Sequence, residues 1–139
     1  MNFIMAYKID EIEGICPVFG EKLKSAGITS VDKLLEKCAA KSGRVALAKE
    51  TGIDEKSILK WTNHADLFRI PGVGPQFSEL LEASGVDTVK ELRNRNAENL
   101  HAKMLEVNES KKLVRRVPSL KEIEKYIAEA GKLEPLMTY

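Results

Sequence analysis

An excess of charge of one sign is absent here: 22 lysines and arginines stand against 21 acidic residues, a net charge of +1. That balance excludes a general polycation and leaves only local patches to meet a polyanion. Aromatic residues are few, at 6%. No stretch of about 18 apolar residues occurs, so no membrane-spanning helix is expected. The opening MNFIMAYKID lacks the basic segment and apolar run of a secretory leader. The expectation is a cytoplasmic protein with no membrane partner. Cys16 and Cys38 have neither the density of a disulfide scaffold nor the paired spacing of a zinc site, and they read as reduced thiols. His64 and His101 stand in no metal-binding or catalytic spacing, and no glycine-rich nucleotide loop with its lysine is present. No cofactor, metal or catalytic residue is therefore expected. The chain reads as a non-enzyme, with a thiol reaction at Cys16 as the enzymatic alternative.

What the chain does have is a repeat. A shift of 58 places lays IEGICPVFGEKLKSAGITSVDKL, residues 12–34, over IPGVGPQFSELLEASGVDTVKEL, residues 70–92. Ile, Gly, Pro, Phe, Glu, Leu, Gly, Val and Leu recur in register. Such self-similarity marks two copies of one small supersecondary unit, each needing the other to bury its apolar face. In each copy a glycine turn precedes a proline suited to the first turn of a helix. Each following helix closes on a glycine and a β-branched residue, Gly27-Ile28 and Gly85-Val86, the pattern of a left-handed helix stop with its hydrophobic contact. Thr29 and Asp87 then stand where the next helix takes its N-cap. Between the copies, residues around SGRVALAKETG and DEKSILKWTNHADLFRI read as helices, with Asp54 capping the second and Ile58, Leu59, Trp61 or Asn63, Ala65, Leu67 and Phe68 forming its apolar stripe. Near the C-terminal end Ser119 and Glu122 form a capping box. No segment alternates as a strand would. The expectation is an all-α chain of eight or nine short helices. Ile12, Ile15, Phe19, Leu23, Leu34, Ile70, Val73, Phe77, Leu81 and Leu92 are expected to face inward.

The stretch FRIPGVGPQFSELLEASGV closely resembles the helix-hairpin-helix motif, and IEGICPVFGEKLKSAGI resembles it with Cys16 in place of the second glycine. Over nearly its whole length the chain is similar to the tandem helix-hairpin-helix family known as domain of unknown function 4332. The resemblance implies two pseudo-symmetric hairpins in one compact domain of SAM-like, helix-hairpin-helix architecture, spanning 1–139, with one repeat over about 8–66 and the other over about 67–139. It also implies contact with a DNA backbone, without sequence specificity, through the amides of the turn and the start of the second helix. Some members of the wider class bind only proteins.

Four glycine-turn positions, Gly72, Val73, Gly74 and Gln76, are candidates for holding a phosphate oxygen on backbone amides, and Gly14 and Ile15 are their counterparts in the first turn. The competing reading is a tight corner between two helices, and it gains from Glu79 and Glu82 after the second turn. Charge is unevenly spread: residues 67–92 carry two bases against four acids, whereas residues 93–118 carry seven bases against three acids. Within the latter, Lys111, Lys112, Arg115 and Arg116 could deliver four cations to phosphates, or could simply form a solvated helix end. Two functions stay open: a module binding a DNA or RNA backbone, and a scaffold binding a protein partner through its helical surface. Whether the basic segment and the second turn share a face decides between them.

Overall fold

The computed structural model describes residues 7–139. Among these residues the chain is helical and holds no strand, apart from an isolated antiparallel bridge between Lys8 and Ser30. It divides into two compact units: the chain up to Asp66 together with Leu136–Tyr139, and Leu67–Pro135.

The first unit contains a 3-10 turn at Ile9–Glu11, then α1 (Pro17–Ser25), α2 (Val31–Cys38), α3 (Lys41–Thr51) and α4 (Glu55–Leu67), whose last residue belongs to the second unit. Helix α1 starts at Pro17, whose missing N–H would have had no helical partner in any case. It stops at Gly27, where φ is +87°. There the Ile28 N–H donates to the Leu23 carbonyl at 2.8 Å and the Gly27 N–H to the Lys24 carbonyl at 3.0 Å, the two bonds of a Schellman stop. Ile28 and Leu23 are both buried. The cap of α2 is Ser30, one residue beyond the expected Thr29: its hydroxyl accepts from the Lys33 N–H at 3.2 Å. The stop consumes the residue after the glycine, and only the side chain two places on lies three before a free amide.

Helices α2 and α3 pack closely because Gly43 has no side chain. A Cβ placed there would lie 1.6 Å from the Lys37 carbonyl oxygen. The next residue, Arg44, is buried, against the ordinary tendency of its type. Its guanidinium donates to the carbonyls of Cys38, Ala39 and Thr138 at 2.9, 3.0 and 2.5 Å and lies 5.6 Å from the Tyr139 ring centre. In α4, Asp54 caps as expected, accepting from the Lys56 N–H at 3.1 Å. The expected single apolar stripe is exceeded, for every residue from Trp61 to Phe68 is buried, including Thr62, Asn63, His64 and Asp66. Trp61 is core, with the Phe19 ring 5.4 Å away.

The second unit contains α5 (Pro75–Ala83), α6 (Val89–Arg93), α7 (Ala97–Lys111) and α8 (Leu120–Lys132). Helix α8 packs on α6 and α7, and α5 packs on α7. Their shared core holds Leu67, Ile70, Val73, Leu81, Leu92 and Ile123. Helix α5 ends as α1 does, with Val86 N–H to Leu81 carbonyl at 2.8 Å and Gly85 N–H to Glu82 carbonyl at 3.0 Å. Thr88, again one residue past the expected Asp87, caps α6 by accepting from the Glu91 N–H at 3.3 Å. The Ser119–Glu122 capping box of α8 forms as expected. Of the ten residues expected inside, eight are buried, whereas Phe19 and Phe77 are half-buried at the margins of their cores.

Candidate nucleic-acid interface

The second turn is held by its backbone. The Ile70 N–H donates to the Leu67 carbonyl at 3.1 Å and the Val73 N–H to the Ile70 carbonyl at 3.0 Å. Gly72 stands at φ +91°, and a Cβ there would come within 3.3 Å of the Tyr126 ring on α8, so glycine is required both by conformation and by space. Burial, and next to it the Glu122 carboxylate, raise the Tyr126 phenol above its ordinary range. Gly74 caps α5 without a side chain, and no side-chain cap bond is made there. The early amides of α5 therefore face outward at the positive end of the helix dipole.

The basic segment is shaped by one residue that the sequence did not single out. The Asn108 side chain pairs with the Val114 backbone in both directions, donating through Nδ2 to its carbonyl and accepting through Oδ1 from its N–H, each at 3.0 Å. The Asn108 carbonyl also accepts from the Lys112 N–H at 2.8 Å. Lys112, at the end of α7, is driven into the left-handed region at φ 50° and ψ 49°. Among the described residues it is the sole non-glycine at positive φ, whereas Gly27, Gly52 and Gly85 serve the corresponding role after other helices. Arg116 is drawn to Glu122, its Nη2 2.9 Å from Oε1. That hydrogen bond is the first cause holding the Glu122 carboxyl below its ordinary value.

These two features meet. A surface groove of about 700 Å³ is lined by Gln76 and Phe77 at the start of α5 together with Asn108, Lys112, Leu113, Val114, Arg115 and Arg116. Lys111, the last residue of α7, is exposed outside this lining. The Val73 side chain is buried and its N–H is given to the Ile70 carbonyl, so Val73 does not supply the amide expected of it, whereas Gly72 is exposed. Glu79 and Glu82 do not line the groove.

The first turn repeats the backbone but not the charge. Gly14 stands at φ +94° with Trp61 Nε1 3.3 Å from where its Cβ would be, and Ile15 turns its side chain into the core. Cys16 caps α1 without a side-chain bond and is exposed. Around it are the exposed Glu13 and Glu21, and Lys24 is engaged by Asp10 at 3.6 Å. Cys38, the other free thiol, is buried in the first unit, and burial pushes it up to about 11. Among the described residues no three His, Cys, Asp or Glu side chains converge as metal ligands, and no helix is long and apolar enough to cross a membrane.

Fold and groove together define an all-α protein with a cation-lined groove beside a glycine turn. The chain belongs to the family described as Domain of unknown function (DUF4332), whose model matches residues 13–133. No solved structure matches it.

Proposed function

We propose that the chain is a non-catalytic, cytoplasmic tandem helix-hairpin-helix module whose second hairpin holds a nucleic-acid backbone without reading its sequence. The motif reading is supported by turns at Gly14 and Gly72, both at positive φ, by helices that follow from Pro17 and Pro75, and by the same glycine stop and the same cap position 58 residues apart. The functional reading is carried by one observation: the start of α5 and the cations Lys112, Arg115 and Arg116 line one groove. Uncapped amides at a helix start donate to a phosphate oxygen, and neighbouring cations release counterions from the adjoining phosphates. Neither contact distinguishes bases. The first hairpin has the turn without the cations, so the second hairpin does the binding.

The test is a titration of labelled duplex and single-stranded DNA and RNA at about 50 mM salt, where non-specific affinities lie near 10⁻⁴ to 10⁻⁶ M or tighter. Binding that is lost when Lys111, Lys112, Arg115 and Arg116 are all changed to alanine supports the module. Absence of binding to every one of these probes overturns it and leaves the protein-scaffold reading.

A further inference from the structure

The lining of the same groove also includes apolar side chains. Phe77 is half-buried against the core of the second unit and also lines the groove, as does Leu113. Lys112 and Arg115, both exposed, line the same groove, so cations and an aromatic ring share one surface. A duplex presents sugars and phosphates outward and keeps the faces of its bases stacked inside, so it would meet the cations and leave the ring without a partner. An unpaired strand offers both chemistries at once: phosphates for the cations and a base face for an aromatic ring or a guanidinium plane.

Resting on the binding reading above, we infer that the groove takes single-stranded nucleic acid, with one base against Phe77 while Lys112 and Arg115 hold the flanking phosphates. Lys112 fits this arrangement because its backbone is kept in a conformation that glycine would adopt at lower cost, while its side chain remains exposed. Arg116, held by Glu122, contributes less to the strand than Arg115 does. Because every base has a π face, the contact tolerates any sequence.

The experiment compares a labelled deoxythymidine oligomer, the same length of uridine oligomer and a duplex of mixed sequence against the full chain and three variants, Phe77→Leu, Phe77→Tyr and Phe77→Trp. Each variant is first checked for an unchanged helical spectrum and melting transition. The expected result is tighter binding to the single strands than to the duplex, a roughly 5- to 100-fold loss for Phe77→Leu on single strands that exceeds any loss on the duplex, and recovery in Phe77→Tyr. Phe77→Trp gives a direct readout: its fluorescence is quenched by the thymidine oligomer, whereas the native chain, whose sole tryptophan Trp61 is buried, shows no such quenching. The deoxythymidine and uridine arms distinguish DNA from RNA. Binding of duplex and single strands with equal affinity and no quenching in Phe77→Trp overturns the inference and leaves the backbone-binding reading standing. Binding of no probe overturns both.

Discussion

Replacing Lys112 by glycine should move stability and binding in opposite directions. Lys112 closes α7 at φ 50°, ψ 49°, a conformation that costs a residue with a Cβ roughly 1–2 kcal/mol. Its side chain is exposed, so its removal leaves no cavity, and the N–H that bonds to the Asn108 carbonyl at 2.8 Å is retained by glycine. Glycine gives back part of the gain through the greater freedom of the unfolded chain, about 0.4–1 kcal/mol. The net expectation is a stabilisation of about 0.5–1 kcal/mol, or a rise in Tm of about 2–4 °C for a chain of this size. The same change removes one groove cation, so single-strand affinity should fall and the slope of log K against log salt should shrink by about 0.7. Thermal melting followed by circular dichroism and fluorescence anisotropy at several salt concentrations read the two effects separately. A variant that is less stable would refute the strain argument. One that is more stable and binds as tightly as the native chain would refute the role given to the side chain.

Glu122→Gln keeps the capping box, because glutamine can return the bond to the Ser119 N–H, but it releases Arg116; nucleic-acid binding should tighten and become steeper in salt by up to about 0.7, with little change in Tm. Gly43→Ala should cost about 3 kcal/mol or more, read by denaturant melting, because its Cβ meets the Lys37 backbone rather than a side chain that could turn away. Cys38 should resist a thiol reagent in the native chain while the exposed Cys16 reacts, giving one equivalent before unfolding and two after it. Since the folded Cys38 thiol titrates at about 11 against an ordinary 9.0, the folded state binds the proton more tightly, and stability should fall as pH rises through that window, with the loss absent in Cys38→Ala.

The parts of this structure legible in the sequence are those set within a few residues. Glycine followed by a β-branched residue specified the stops of α1 and α5, and the serine and glutamate at 119 and 122 specified the start of α8, because each device closes on its own backbone. The caps of α2 and α6 were displaced by one residue because the stop and the cap compete for the same short link, and the stop decides the spacing. What the sequence did not disclose depends on contacts made across the chain. Seven successive buried residues at the end of α4, and Phe68 just after it, do not follow from periodicity, since a helix reads as one-sided until its surroundings are known. Arg44 looks like a surface residue until the carbonyls of residues 38, 39 and 138 are brought around it. The candidate site was half legible. The turn and the basic run were each visible, but their shared groove joins residues more than thirty positions apart, and the Asn108 clamp that shapes the basic run is a side chain mimicking a backbone partner, for which no sequence pattern exists.

Backbone phosphates should meet the cations gathered at the second turn, and the salt dependence of binding reads that contact. Titrating a labelled single-stranded oligomer between about 50 and 200 mM salt should give a straight line of log K against log salt, with a slope of roughly −1.4 to −2 for two or three phosphates, so that affinity falls about 7- to 20-fold across the range. A slope near zero, or no binding at about 50 mM, would contradict it.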